Sequence, residues 1–383
     1  MTSARPSPTD APVIVGALRT AIGTAGMAFR DVPAADLAAP VLSALAAPFD
    51  GLLPHDVVLG NCMGPGGDVA RVAALTAGLP VTVPALTVDR QCGSGLAAVE
   101  VAATMLRSRP GLVLAGGVES ASTAPWRSWP PVGEAPPIRY ERAPFAPAEL
   151  GDPDMGLAAD LLAEEHGISR ERQDVYAARS HARAAATTAS GGFAAEVVPV
   201  SGLTCDERVR EGLTVERLAR LRPTFRPEGT VTVGNSCGIN DGAAAVALVD
   251  PGTARDLDLP GLRVLATATA GVDPRRPGIG LVPAVRSALA LAGVTLDDID
   301  VVELNEAFAG QVLACCEALD LDDARVCEYG GALALGHPWG ASGAVLAVRL
   351  FHRLVRSGAG ELGLAAIAVG GGQGVAMVVQ RCR

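Results

Sequence analysis

Short apolar runs of strand length alternate with longer runs of helical spacing in the first third of the chain. The strand-length runs lie at residues 13–17, 56–61, 84–88 and 111–117. The alanine-rich runs with helical spacing lie at 34–45, 69–77 and 97–106. Strands that alternate with helices are typical of a mostly parallel, doubly wound α/β sheet, and we expect that arrangement here.

The alternation stops at residues 120–145, where prolines are frequent and Trp126 and Trp129 occur. Irregular segments of this length inside a compact protein usually serve as lids or contact arms. Helical spacing returns at 155–166 and again, after a helix-start signal, at 169–186. Strand-like runs then follow at 231–234 and 243–249.

The last third of the chain repeats the pattern of the first third. Residues 300–305 resemble 56–61, the turn at 340–343 resembles 92–95, and 366–371 resemble 113–117. Two copies of one α/β unit imply two halves related by a pseudo-twofold axis. Their equivalent turns would then meet at the interface between the halves, where binding pockets tend to form.

Composition places this pattern in a large α/β protein. The chain has 383 residues, 49% of them hydrophobic, so we expect two or three compact units. A net charge of −10 disfavours nucleic acid and anionic membrane as partners. No uninterrupted apolar run has the length of a membrane span. Residues 1–10 are polar and proline-rich, and we expect a frayed tail there.

The cysteine and lysine counts restrict the chemistry further. Eight cysteines are scattered without a CxxC pair, which argues against a disulfide framework or a zinc site. The same distribution favours a reducing, cytoplasmic location. The sequence contains no lysine, so lysine-dependent chemistry is excluded and every fixed side-chain cation is an arginine.

Cys92 is the candidate nucleophile. It lies between the strand-like run 84–88 and a helical run, and Gly93 and Gly95 permit a tight turn there. Free N–H groups at a helix N-terminus favour a thiolate, so we expect a pKa below the value of about 8.5 for a free cysteine. The alternative is a buried cysteine that packs as a small hydrophobic side chain.

Further motifs in the C-terminal third favour the interpretation of Cys92 as a nucleophile over that of a buried packing residue. These are NEAFA at residues 305–309, GHPWGASG at 336–343 and GGGQGVAM at 370–377. Together with QCGSG at 91–95, with 113–120 and with Arg19-Thr20, Met155-Gly156, 221–223, 229–232 and 238–245, they resemble the thiolase family over nearly the whole chain. The set is far more specific than any one motif.

The resemblance implies a five-layered αβαβα fold made of two duplicated α/β halves and an inserted loop domain. Residues 1–118 and 240–260 would form the N-terminal half, and 261–383 the C-terminal half. Residues 119–239 would form the loop domain, with the lid, the coenzyme A contacts and oligomer contacts. A homodimer or homotetramer is expected, with no metal and no permanently bound cofactor.

The resemblance also implies roles for individual residues. Cys92 would be acylated by a coenzyme A thioester, and His337 would be its base. Asn305 would hold a water that, with His337, stabilises one thioester enolate. The backbone N–H groups of Cys92 and Gly370 would form a second oxyanion hole. The substrate and its coenzyme A would contact Arg210, Cys237 and Met155.

The sequence departs from the family at the second catalytic cysteine. Ala368 stands where family members that make or cleave carbon–carbon bonds carry the cysteine that exchanges the α-proton. Loss of a positioned acid or base typically costs about 10²–10⁴ in rate. Cys237 replaces a common serine near the pantetheine arm, which favours a conservative exchange over a relocated base. Asp154 and residues 327–329 also differ from the family pattern, and both differences bear on the shape of the acyl pocket.

Several functions therefore remain open. The enzyme would transfer an acyl group from acyl-CoA to an unidentified acceptor, either by Claisen chemistry or to an aromatic carbon, an amine or an alcohol that needs no α-proton removal. A non-catalytic thiolase-like partner subunit is a third interpretation, disfavoured by the intact set of Cys92, His337 and Asn305. A β-ketoacyl synthase is a fourth, and Asn305, where such enzymes more often place a histidine, favours the thiolase.

Overall fold

Within residues 10–49 and 51–382, which the computed structural model describes, the chain forms a mixed α/β structure. The predicted N-terminal tail, apart from Asp10, lies outside the described residues. The strands are β1 Val13–Thr20, β2 Gly23–Thr24, β3 Pro54–Gly60, β4 Ala85–Val88, β5 Leu112–Ser120, β6 Arg127–Trp129, β7 Ile138–Tyr140, β8 Val197–Val198, β9 Asn240–Val249, β10 Gly261–Gly271, β11 Val301–Leu304, β12 Leu362–Val369 and β13 Gln373–Cys382. The helices are α1 Ala34–Ala46, α2 Val69–Thr76, α3 Ser94–Ser108, α4 Met155–Glu165, α5 Arg170–Ala189, α6 Val215–Leu218, α7 Pro251–Leu257, α8 Leu281–Ala292, α9 Ala309–Leu319, α10 Ala332–Leu335 and α11 Trp339–Phe351.

The large sheet is mixed, so the expectation of a mostly parallel sheet was wrong. Its order is β11-β12-β13-β10-β1-β9-β5-β3-β4, and β1 joins the two halves through a short antiparallel pairing with β10. β3 runs parallel to β4 and β5, and β11 parallel to β12. β9 and β13 are antiparallel to their neighbours. β13 follows β12 through a glycine turn with no helix between them, and such a tight connection requires antiparallel strands.

Three apolar clusters separate five layers. α1 and α2 cover the outer face of the N-terminal part of the sheet. α8 and α9 cover the outer face of the C-terminal part. Between the two parts lie α3 and α11, which begin at the two repeated turns and share the third cluster. No helix among the described residues combines the length and hydrophobicity needed to cross a bilayer.

Glycines let the two central helices approach each other at their first turns. A β-carbon at Gly95 would lie 2.7 Å from the backbone nitrogen of Ala344, and one at Gly343 would collide with the backbone of Leu96. A β-carbon at Gly117 on β5 would likewise collide with the carbonyl of Gly340. The GSG and ASG sequences of the repeated turns are therefore packing requirements at one helix crossing.

A buried ion network ties the halves to the segment between them. Arg19 of β1 donates to Glu196 at 2.9 Å and to Asp206 at 2.7 Å, and Arg349 of α11 donates to the same Glu196 at 2.9 Å. All four side chains are buried. Removal of one partner from such a network typically costs about 3–5 kcal/mol because a buried charge is left uncompensated.

Two local predictions were wrong in the region 119–239. Residues 231–234 form a turn, because Asp160 accepts the N–H groups of Thr230 and Val231, and Asn235 accepts that of Thr232. These side chains occupy the donors that a strand would need. The irregular segment 120–145 contains a small hairpin of β6 and β7, in which Trp129 stacks on Tyr140 with ring centroids 4.9 Å apart.

We expect Gly95→Ala to destabilise the protein by about 1–3 kcal/mol, because the added methyl group overpacks the crossing of α3 and α11. Thr104→Ala, at an exposed position of α3, should change the free energy of unfolding by no more than about 0.5 kcal/mol. Urea unfolding of both variants measures the difference. Equal stability of the two variants would show that the glycine contact is not limiting.

Candidate active site

The turn that carries Cys92 is fixed by short polar contacts. The carboxylate of Asp89 accepts the N–H of Gln91 at 2.8 Å, and the hydroxyl of Ser94 donates to the carbonyl of Gln91 at 2.6 Å. Gln91 has φ 45°, a left-handed conformation that is uncommon for a residue with a side chain. Cys92 follows directly and precedes the first turn of α3. The predicted placement of Cys92 at a strand-to-helix junction is therefore observed.

Cys92 lies half-buried in the wall of a mainly apolar cavity of about 120 Å³. The cavity is bounded by elements of both halves and by α4 from the inserted segment. His337 lies on the same wall, and so do the residues at the end of β12. The lining residues are Cys92, Met155, Ala158, Ala159, Cys237, Pro277, Gly278, Ala307, Phe308, Gln311, His337, Trp339, Ala368, Val369 and Gly370.

His337 is held in one orientation by groups outside the cavity. Its backbone N–H donates to Asn240 at 2.9 Å, and its Nδ1 lies 2.6 Å from the hydroxyl oxygen of Ser342. That hydroxyl donates its single proton to the carbonyl of Pro338 at 3.0 Å. When that proton is on the Pro338 side, the ring donates Nδ1–H to Ser342, and this tautomer leaves Nε2 able to accept a proton.

Burial keeps both candidate catalytic groups neutral. Burial, with a smaller contribution from the charge of Cys237, raises the pKa of Cys92 to about 12. Hydrogen bonds from the backbone N–H groups of Cys92 and Gly370 to the sulfur oppose that rise. Burial also lowers the pKa of His337 to about 4. The expectation of a lowered thiol pKa was therefore wrong, because loss of water outweighs the helix N-terminus.

A neutral thiol and a neutral imidazole that line one cavity restrict the chemistry. The thiol has to lose its proton while its sulfur attacks, and the free Nε2 of His337 can accept that proton. The N–H groups of Cys92 and Gly370 converge on the sulfur, so they can also serve as donors close to an oxygen on the attached carbon. Their predicted role as an oxyanion hole stays a prediction.

The remaining predicted residues occupy different places. Met155 and Cys237 line the cavity with Cys92. Asn305 is buried and lines a separate cavity of about 20 Å³, roughly the room for one water. Ser342 lines that small cavity too, and its hydroxyl contacts Nδ1 of His337. Arg210 is exposed, and its backbone N–H donates to His181 at 3.1 Å. The roles predicted for these residues stay predictions.

Two of the sequence departures do not shape the cavity. Asp154 caps α4 by accepting the N–H groups of Gly156 and Leu157. Cys327 is buried in the cluster under the C-terminal part of the sheet, and the ring of Tyr329 packs under the guanidinium of Arg353, 4.5 Å away. Sequence reasoning had connected these positions with the acyl pocket.

Three supporting residues were missed from the sequence. Ser342 orients His337, and Gln311 lies in the cavity wall. Glu119 at the end of β5 is fully buried and accepts N–H groups from Cys62, Met63 and Gly340. It thereby ties the loop after β3 to the first turn of α11. Glu119 could have been noticed in the sequence as a charged residue within an otherwise apolar strand, because a buried carboxylate usually has hydrogen-bond partners.

Among the described residues no group of three or more histidine, cysteine, aspartate or glutamate side chains is arranged to hold a metal ion. The eight cysteines, all of which lie in the described part of the chain, are free thiols.

The comparisons with known proteins agree with this geometry. Residues 12–251 match the family model of the thiolase N-terminal domain, and residues 260–381 match that of the thiolase C-terminal domain. The chain therefore belongs to the thiolase family. This confirms the predicted family and the class of acyltransferase enzyme. It also confirms the fold class of two duplicated α/β halves.

Individual relatives are similar over nearly the whole chain. An acetyl-CoA acetyltransferase of Pseudomonas aeruginosa is 42% identical, over 96% of this chain and 99% of the relative. A putative acetyl-CoA C-acetyltransferase of Bacillus subtilis is 41% identical, over 96% of this chain and 98% of the relative. The crystal structure of human mitochondrial 3-ketoacyl-CoA thiolase superimposes with a TM-score of 0.90 at 34% identity, covering 98% of this chain and 100% of that one. The crystal structure of the Bacillus anthracis acetyl-CoA acetyltransferase superimposes with a TM-score of 0.88 at 37% identity, covering 97% of this chain and 99% of that one.

The burial of His337 predicts an acid-dependent loss of stability. Because its pKa falls from 6.5 to about 4 on folding, the unfolded chain binds the proton more readily. The stability is complete above about pH 6.5 and is lost as the pH falls toward 4, by at most about 3 kcal/mol. His337→Asn removes the titrating group, so its unfolding free energy should fall less between these pH values. Parallel curves for the two proteins, measured by urea unfolding, would contradict this.

Proposed function

We propose that the chain is an acyl-CoA-dependent acyltransferase in which Cys92 carries the acyl group. The observation that carries the proposal is the single cavity wall on which Cys92, His337 and the N–H of Gly370 converge. The names of the relatives, which are acetyl-CoA acetyltransferases, support acetyl-CoA as the donor.

The acylation step follows from this arrangement. The sulfur of Cys92 attacks the thioester carbonyl carbon while its proton passes to Nε2 of His337. The carbon–sulfur bond to coenzyme A then breaks, and the departing thiolate takes the proton back from His337. Cys92 is left as a thioester, and coenzyme A leaves as a thiol. Fixed backbone donors at the sulfur would stabilise the oxyanion without reorganisation.

The acceptor of the acyl group defines two versions of this function. In one, a second thioester loses an α-proton and attacks acyl-Cys92, as the family membership favours. In the other, an aromatic carbon, an amine or an alcohol attacks instead. Ala368 favours the second version, because it gives the cavity a methyl group where family members carry a thiol. The complete set of polar groups around Cys92 weighs against a non-catalytic partner subunit.

A mass measurement tests the acylation. After incubation with acetyl-CoA, the peptide that contains Cys92 should carry an acetyl group, and Cys92→Ala should carry none. His337→Ala should slow acylation by about 10²–10⁴ because the proton acceptor is lost. Cys205→Ser, at an exposed thiol outside the cavity, is the matched control and should acylate normally. No adduct with acetyl-CoA or a longer acyl-CoA would favour the partner-subunit interpretation.

A further inference from the structure

The position of the missing thiol is a half-buried methyl group on the cavity wall. Ala368 lies near the end of β12, where it pairs with Gly374 of β13, so neither residue of the pair supplies a polar side chain. The wall contains only three side chains that can gain or lose a proton in the usual range, namely Cys92, His337 and Cys237. Cys92 is proposed to carry the acyl group, and His337 to exchange the Cys92 proton. Cys237 is therefore the remaining candidate for a second acid and base.

Cys237 is fixed at the wall by the segment that carries Asn305. Its backbone N–H donates to the carbonyl of Ala307 at 2.9 Å, and the preceding residue forms a β-bridge with Phe308. Two residues before Cys237, the carbonyl of Asn235 accepts the N–H of Ala309 at 2.9 Å. These contacts hold the Cys237 loop against the catalytic wall. Sequence reasoning had placed this loop beside the coenzyme A arm, away from the reacting carbon.

A fixed cation stands beside Cys237. Arg208 donates to the carbonyls of Ser236 at 2.9 Å and Leu333 at 3.2 Å, which anchors its guanidinium next to the Cys237 loop. Burial raises the pKa of Cys237 to about 12, and the charge of Arg208 opposes that rise. Arg208 therefore favours a negative charge on this sulfur, and it cannot itself be discharged.

The two cavity thiols oppose each other's ionisation. A negative charge on Cys237 raises the pKa of Cys92, so the site favours one charged sulfur at a time. An acylated Cys92 has no thiol proton to lose and cannot ionise. Of these two sulfurs, Cys237 alone can then hold a negative charge at the stage at which an α-proton has to be removed.

The same wall contains an unpaired buried acceptor. Gln311 is 2% exposed, and its amide nitrogen donates to the carbonyl of Gly278 at 3.1 Å. Its Oε1 has no hydrogen-bond partner among the described residues. A buried acceptor without a partner costs about 1–3 kcal/mol.

We propose that Cys237 is the catalytic acid and base that exchanges the α-proton of the second thioester, in place of the thiol absent at Ala368. The proposal rests on the proposed acylation of Cys92, and it selects the version in which a carbon–carbon bond is made.

The proton and the charge balance over the cycle. His337 accepts the proton of Cys237, and the Cys237 thiolate removes a proton from the α-carbon of acetyl-CoA. The resulting enolate attacks the carbonyl carbon of acetyl-Cys92, the carbon–carbon bond forms, and the bond to the Cys92 sulfur breaks. Acetoacetyl-CoA leaves a Cys237 thiol and a Cys92 thiolate, which takes the proton from His337, so both thiols are neutral before the next acylation.

Deuterium exchange tests the step separately from acylation. In D₂O, the full-length protein should exchange the α-hydrogens of acetyl-CoA and form acetoacetyl-CoA. Cys237→Ser should lose exchange and condensation by about 10²–10⁴, a loss much larger than its change in the rate of acyl-Cys92 formation. Cys205→Ser, outside the cavity, should retain both activities. Mass spectrometry of the recovered acetyl-CoA and of the Cys92 peptide gives the two readouts.

A second variant tests whether the absence of a thiol from the cavity causes the loss of exchange. Cys237→Ser combined with Ala368→Cys should recover at least about tenfold of the lost exchange, because it restores a thiol to the same cavity. Exchange by Cys237→Ser as fast as by the wild type, or acylation without exchange in the wild type, would overturn the inference alone. Absence of acyl-Cys92 in the wild type would overturn the proposed function as well.

Discussion

The crossing of α3 and α11 at Gly95 and Gly343 is the contact on which the catalytic arrangement depends. Each helix begins directly after a functional loop, with Cys92 on one side and His337 on the other. A side chain at either glycine would separate the helices and move the two loops apart. The carboxylate of Glu119 reinforces the contact because it accepts N–H groups from both sides of the interface.

Dehydration of this interface determines the chemistry of the nucleophile. A thiol at a helix start is commonly activated in advance as a thiolate, and here the surrounding apolar wall prevents that. Burial keeps the sulfur of Cys92 and the imidazole of His337 uncharged in the free protein, and the N–H groups of Cys92 and Gly370 oppose the rise of the thiol pKa only in part.

Local sequence was sufficient for the main elements of the fold. The glycines after Cys92, the helical spacing behind them and the repeated segments predicted the turn and the duplication, and the family resemblance implied the fold class. Strand direction was not predictable, because β9 and most of β13 are buried on both faces, and burial on both faces does not depend on strand direction. The ionisation of Cys92 was not predictable either, since it depends on burial and on contacts with residues far away in the chain, such as Cys237 and Gly370. Ser342 and Arg208 became visible only through their contacts with other loops.

Because every fixed cation of the chain is a guanidinium, the buried network of Arg19, Glu196 and Arg349 retains its positive charges at any pH at which the protein is folded. Only its carboxylates can be neutralised, so alkali leaves this junction intact and acid weakens it. Because the sequence contains no lysine, a reactive thioester cannot acylate an ε-amine of this chain. An acyl donor that meets this surface therefore finds sulfur as the principal nucleophile.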